Sequence, residues 1–283
     1  MTVLSTPQAQ ETTLIIEPGR SEKNYWADMW RYRELFLVLA LRNISVRYRQ
    51  TIIGVLWAVL RPFLTMVVLT VVFGRIAKLP SEGNAPYALM VFAAMLPWQL
   101  FANALSASSG SLVGNVGLIS KVYFPRLILP AAMQITALID FLVSFTLLIA
   151  MMVYYQYAPG WQILLLPVFV VLALAASLGP GVLVTALNVK YRDIGHIVPF
   201  VVQFGLYVSP VGFSSSVVPE KWRLLYNLNP MVAAIDGFRW CILGGDSAIY
   251  VPGFLLSFGI TVLFLWYGIS HFRKMERTFA DII

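Results

Sequence analysis

The stretch from Phe141 to Val189, FLVSFTLLIAMMVYYQYAPGWQILLLPVFVVLALAASLGPGVLVTALNV, runs for 49 residues without an Asp, Glu, Lys or Arg. A helix that crosses a bilayer needs about 20 mostly apolar residues. This run is long enough for two, and Ala158-Pro159-Gly160 supplies a turn between them. Apolar and polar residues do not alternate along it, which argues against the strands of a transmembrane barrel.

Outward from this stretch, the other charge-free runs are Pro62–Gly74, Gly83–Ser120, Leu127–Ile139, Ile194–Pro219 and Ser247–Phe272. Extending the two shortest past one isolated charge gives six expected spans: Ile52–Gly74, Pro86–Ser106, Leu127–Tyr154, Ile163–Leu187, Gly195–Phe213 and Val251–His271. The fold class is therefore all-α and membrane-integral. The composition agrees: of 283 residues, 59% are hydrophobic and 12% charged, with a mean hydropathy of +0.77, where soluble domains are about a quarter charged. A single cysteine, Cys241, excludes a disulfide scaffold.

The basic residues give an orientation. Arg20, Lys23, Arg31, Arg33, Arg42, Arg47 and Arg49 precede the first span. Lys121 and Arg126 follow the second, Lys190 and Arg192 the fourth, and Arg273, Lys274 and Arg277 the last. The opposite loops carry only Arg75, Lys78, Lys221, Arg223 and Arg239. The excess of positive charge stays in the cytoplasm, so both termini are expected there. The net charge of +7 then reads as a topology signal, and no nucleic-acid partner is expected. Residues 1–24 are polar, lack the basic-then-apolar pattern of a signal peptide, and read as a mobile cytoplasmic tail. No internal repeat is visible in the hydropathy.

Residues 25–49 differ from the spans. At about 100° per residue, Trp26, Trp30, Leu37, Leu41, Ile44 and Tyr48 form one stripe, with Arg31, Arg42 and Arg49 roughly opposite. An amphipathic helix with tryptophans on one face and arginines on the other suits the membrane interface, either as a plain anchor or as a support for a cytoplasmic partner. Leu35 and Val38 interrupt the polar side, so protein is expected to cover that face too. Residues 50–273 form the six-span domain and 274–283 a cytoplasmic C-terminus.

Catalytic groups are scarce. The two histidines, His196 and His271, sit at span edges, and no GxxxxGK[ST], HExxH, GxSxG or CxxC motif occurs. Gly179-Pro180-Gly181 lacks the third glycine of a dinucleotide fingerprint and is expected to kink the fourth span. Asp140 and Arg61 are the charges within spans. Asp140 reads as a hydrogen-bonding partner for a neighbouring helix, since one acid makes no proton relay. Arg61 can snorkel to headgroups or face a polar passage. A lipid-active intramembrane enzyme would need a His, Asp or Cys cluster at one depth, and the sequence has none. A chain that moves something with so few ionisable groups is expected to draw its energy from a separate ATPase docked on the cytoplasmic loops.

Those loops carry recognisable residues. Lys121-Val122-Tyr123-Phe124-Pro125-Arg126 joins spans two and three, and Tyr191-Arg192-Asp193-Ile194 joins four and five. Together with Gly54-Val55-Leu56-Trp57-Ala58-Val59-Leu60-Arg61-Pro62 and Leu228-Asn229-Pro230-Met231, their order on six spans resembles the permease subunits of ABC-2 type exporters. The nearest branch is that of the lipid-linked O-antigen exporters, with teichoic acid and capsule exporters as relatives. Small-molecule exporters of the same superfamily would share these loops. The resemblance implies a homodimer on two copies of an ATP-binding subunit, with no cofactor in this chain and ATP-Mg held by the partner. It implies a coupling helix around Lys121, Tyr123, Phe124 and Arg126, and a second contact at Tyr191, Arg192 and Asp193. It makes 25–49 the interface helix and Ser214–Tyr250 the short re-entrant helices of an external gate. It also implies a bacterial inner-membrane location and a neutral residue where Arg61 stands.

Sugars present hydroxyls and apolar C–H faces, so a glycan path calls for flat rings. Trp57, Trp98, Phe101, Phe204 and Tyr207 fall in spans one, two and five, where the resemblance places the central passage of the dimer. Interfacial aromatic belts would also account for such rings.

Overall fold

A computed structural model of the chain describes residues 25–49, 52–244, 249–276 and 279, with side chains of the first span described from Leu56 onward. The expected tail at 1–24, Gly54 and Val55 of the quoted motif as side chains, Arg277 and most of the C-terminus lie outside the described residues.

The described residues are helical, with eleven α-helices and no strand. They are α1 (Tyr25–Arg31), α2 (Arg33–Tyr48), α3 (Ile52–Leu69, continued as a π-helix over Thr70–Ile76), α4 (Tyr87–Ser109), α5 (Val116–Ile119), α6 (Ile128–Tyr154), α7 (Leu166–Lys190), α8 (Ile194–Val208), α9 (Glu220–Tyr226), α10 (Pro230–Leu243) and α11 (Val251–Glu276). Five apolar helical stretches are long enough to cross a bilayer: Leu56–Ile76, Tyr87–Ser109, Ile128–Tyr154, Trp161–Lys190 and Val251–Glu276. They agree closely with five of the expected spans.

The fifth expected span, Gly195–Phe213, appears as the 15-residue α8, which stops at Val208. The reason is local. Ser209 is extended (φ −82°, ψ 154°) because it precedes Pro210, whose ring disfavours helical backbone one residue earlier. At about 1.5 Å per residue such a helix is roughly 22 Å long, short of a hydrocarbon core about 30 Å thick.

Two apolar clusters stack along the bundle. One joins Tyr25, Leu39, Ile119, Phe124, Val189, Phe272 and Phe279, so it gathers α1, α2, the end of α11 and the loops after α4 and α7. The other, towards the opposite end, packs the first half of α4 against α6, α7 and α10. In α4, 83% of the apolar window is buried, against 17% for the first span and 22% for the last. α4 is therefore the central helix, and the others surround it.

Polar side chains join these apolar helices. Gln134 on α6 donates to Ser108 Oγ (3.2 Å) and accepts from Ser177 on α7 (2.8 Å). Thr185 donates to the Ser108 carbonyl (2.6 Å), and Asn188 to that of Ser109 (2.9 Å). Where lipid offers no hydrophobic drive between helices, such bonds and close packing hold them. Two helix backbones approach closely at Gly179 and Gly268: a Cβ on Gly268 would lie 2.2 Å from the Gly179 carbonyl oxygen. α7 runs unbroken through Pro180, so the Gly-Pro-Gly stretch serves the crossing with α11.

The interface segment is two helices separated at Tyr32 (φ −90°, ψ 20°). Trp26, Trp30, Leu37 and Leu41 remain exposed, while Leu39 and Ala40 are buried against the bundle. Protein covers the side that carries Leu39, and of the expected apolar stripe Trp26, Trp30, Leu37 and Leu41 are bare while Ile44 and Tyr48 are partly covered. Val38 is exposed as well.

Candidate functional site

Three polar regions remain, at three depths. The first lies at the end where α1 begins and α11 finishes. Phe124 is buried there, with Tyr25, Phe272 and Phe279 in the same cluster. The Arg126 amide donates to Glu276 Oε1 and its guanidinium to the Glu276 carbonyl, both at 2.7 Å. The same guanidinium lies 5.8 Å from the centre of the Phe279 ring, and Arg273 lies 4.6 Å from that of Tyr25. Burial, reinforced by the Glu276 carboxylate, pushes the Tyr25 phenol up and keeps it protonated. A cavity of about 460 Å³ opens here, lined by Tyr25, Asp28, Tyr123, Arg126, Arg273 and Lys274 among others.

Of the expected docking residues, Lys121, Tyr123, Tyr191, Arg192 and Asp193 are exposed. Phe124 and Arg126 instead fasten the loop to α11. Helical turns cover Val113–Ile119, just before Lys121, and Val122–Pro125 are irregular. Val189, at the end of α7, shares the cluster with Phe124, so the structure brings the two loops to one end of the bundle.

The second region lies within the expected spans. Asp140 on α6 accepts from the Tyr48 hydroxyl and pairs with Arg47 at 2.7 Å. Its partners are thus on α2, as the hydrogen-bonding reading of this acid expected. Burial and the same carboxylate push the Tyr48 phenol up. Beside this pair lies a cavity of about 280 Å³, lined by Trp57, Arg61, Gln99, Asn103 and Ser144. Among the described residues no ion pair reaches Arg61.

The expected ring residues divide into two sets. Trp57 on α3 and Phe204 and Tyr207 on α8 are more than half exposed. Trp98 is buried against Phe101, with ring centroids 5.3 Å apart, and a Cβ on Gly205 of α8 would meet its indole at 2.5 Å. α3 and α8 both pack on α4. The uncovered rings therefore sit on two helices that flank the helix carrying Trp98.

The third region, at the opposite end, was not foreseen from sequence. Arg239 of α10 is fully buried and pairs with Glu82 at 2.5 Å. Its other terminal nitrogen donates to the carbonyls of Pro210 and Phe213. Asp236 lies one helical turn away. An Asp and an Arg three residues apart on an apolar helix share a face, and that spacing was the available signal. Burial, with Asp236 nearby, pushes the Tyr226 phenol up. Among the described residues no group of three or more His, Cys, Asp or Glu could hold a metal ion.

The helices and these polar regions define a multi-pass helical membrane protein. The chain belongs to the ABC-2 type transporter family, whose model matches residues 34–243. It is 28% identical over 258 residues to the O-antigen export system permease protein RfbA of Myxococcus xanthus, covering 90% of this chain and 98% of that one. A protein of the same name from Klebsiella pneumoniae is 25% identical over 260 residues, 88% and 95% of the two chains. The polysialic acid transport protein KpsM of Escherichia coli is 22% identical over 241 residues, 84% and 92% of the two.

Proposed function

We propose that this chain is the permease subunit of an ATP-driven exporter that moves a lipid-linked, O-antigen-like polysaccharide across the bacterial inner membrane. The observation that carries the reading is similarity to O-antigen export permeases along nearly the whole chain. The KpsM similarity favours capsule-type polysaccharide as the second reading.

Under this reading two copies pair, and α8 completes a six-span domain over residues 50–273 with both termini cytoplasmic. α9 and α10 are re-entrant helices before the last span. α10 suits that role because it is covered by α4, α7 and α11, and non-lipid-facing backbone turns are tolerated at membrane depth only where protein or water covers them. α1 and α2 form the interface helix, and 1–24 and 274–283 are cytoplasmic extensions. Two ATP-binding subunits, which hold ATP-Mg and hydrolyse it, contact the exposed Lys121, Tyr123, Tyr191, Arg192 and Asp193. Phe124 and Arg126 relay that contact to α11. The glycan passes the bare rings of Trp57, Phe204 and Tyr207, with Arg61 near the cavity beside Asp140 and with Trp98 and Phe101 supporting from α4.

The permease reconstituted with its ATPase is expected to turn over ATP faster when lipid-linked glycan is added. No response to any such lipid would remove the reading. A Tyr207→Ala or Phe204→Ala variant should lower glycan transport about tenfold, the equivalent of one ring contact of about 1.4 kcal/mol. ATPase binding should be unchanged.

A further inference from the structure

Arg61 stands five residues into the apolar stretch Leu56–Ile76, roughly 8 Å along the helix. A guanidinium among apolar residues at that depth is costly unless an anion compensates it. Among the described residues nothing does, since no ion pair and no side-chain hydrogen bond reaches it. The acid across the cavity is already taken: Asp140 accepts from the Tyr48 hydroxyl and pairs with Arg47 at 2.7 Å. Two guanidinium groups against one carboxylate leave the cavity of about 280 Å³ that they line with a net positive charge.

The other uncommitted groups of the wall are the carboxamides of Gln99 and Asn103. They lie four residues apart on α4 and so share a face. Neither is bonded among the described residues, and neither is sealed: both side chains are half-buried, with their polar atoms accessible. Arg61 is exposed. Ser144, by contrast, donates to the Ala58 carbonyl at 3.0 Å and pins α6 to α3. An excess positive charge flanked by two amide donors, all reachable, calls for an anion with several acceptor oxygens. Phosphate fits, because its oxygens take a guanidinium in bidentate fashion.

The surroundings say what carries that phosphate. Trp57, Arg61, Leu64 and Val68 recur at helical spacing on α3, and all four are exposed. A molecule whose anion meets Arg61 can lay an apolar chain along Leu64 and Val68. The cavity is slightly smaller than drug-sized ligand pockets, room for a headgroup and not for a whole lipid. Under the orientation proposed above, Leu64 and Val68 lie deeper in the bilayer than Arg61. The cavity is then level with the end of the interfacial helix α2, at Arg47 and Tyr48. We propose that this cavity binds the phosphate of an inner-leaflet lipid, with Arg61 as charge partner and Gln99 and Asn103 as flanking donors. Phosphatidylglycerol and polyprenyl diphosphates share that chemistry. The choice of leaflet and the polyprenyl source rest on the exporter reading, while the lipid-phosphate site rests on the cavity.

The test uses the full chain with its ATPase in mild detergent, with bound lipid counted by native mass spectrometry. The probes are phosphatidylglycerol and geranylgeranyl diphosphate, with diacylglycerol and geranylgeraniol as their phosphate-free counterparts. Saturable binding is expected for a phosphate lipid and not for its counterpart. Affinity should fall about tenfold in Arg61→Gln and about threefold in Gln99→Leu or Asn103→Leu. Lys190→Gln, outside the cavity lining, should leave it unchanged. Arg61 bonds no other side chain, so its replacement strands no partner, and thermal unfolding of each variant separates loss of binding from loss of fold. Equal binding by Arg61→Gln and the unaltered chain, or equal binding of the phosphate-free lipids, overturns the site. Competition identifies the source within an upheld site: displacement of the diphosphate by equimolar phosphatidylglycerol assigns it to membrane phospholipid, and the reverse assigns it to the substrate. ATP turnover on the same samples separates the two readings. A response to lipid-linked glycan together with undiminished lipid binding in Arg61→Gln removes this site alone. Absence of that response removes the exporter reading, and phosphatidylglycerol binding that depends on Arg61 still upholds the site.

Discussion

Arg239 joins three separate segments at one point. It is buried, and it ties α10 to the loop before α4 and to the backbone after α8. Removing one member of a buried pair strands the other charge, at a cost of about 3–5 kcal/mol, whereas removing both is far milder. Arg239→Met is therefore expected to lower the unfolding temperature sharply. Adding Glu82→Leu should recover much of the loss, read as a non-additive double-mutant cycle. Tyr48→Phe, which removes one donor to Asp140, should cost about 1–3 kcal/mol in the same assay. The sequence marks Asp140 as an anomaly because an acid inside an apolar run is visible without a structure. It does not mark the partners: Tyr48 is 92 residues away, and Glu82 is 157 from Arg239. Arg61 and Arg239 illustrate the difference further. The first stands out against its apolar neighbours, while the second sits in a loop-length segment whose burial only tertiary packing reveals.

Among the elements, boundaries follow local chemistry closely. α6 ends at Tyr154, where the apolar run gives way to Tyr155-Gln156 and the Pro159-Gly160 turn, and α11 begins at Val251 as its hydrophobic pattern requires. α8 departs because Pro210 acts on Ser209, a one-residue effect inside an otherwise continuous apolar run. α10 was harder to read, since 14 residues with two charges look like a surface helix until α4, α7 and α11 are placed around it. The α7–α11 crossing gives an element-scale prediction. Gly268→Ala places a methyl against the Gly179 carbonyl and is expected to destabilise by about 1–3 kcal/mol through overpacking. Gly259→Ala on the same helix meets nothing within 4 Å and should be neutral or stabilising by about 0.5–1 kcal/mol. Thermal unfolding in one detergent compares the two directly.

For the whole molecule, the proposed orientation can be tested with the native chain, because Cys241 is buried and offers no background to a thiol reagent. An Asn84→Cys variant should react with a membrane-impermeant maleimide in intact cells. Lys121→Cys and Arg192→Cys should react only after permeabilisation. The reverse pattern would invert the topology. The burial of α4 carries a consequence for synthesis. Of the helices that cover it, α3 precedes it, while α6, α7, α8 and α10 lie later in the chain. A nascent chain that has emerged only as far as Ser109 holds in lipid a surface shaped for protein, including Gln99, Asn103 and Ser108. Half-made copies are thus chemically distinct from finished ones along a single helix, and a membrane chaperone or protease that recognises polar groups in lipid would find them there.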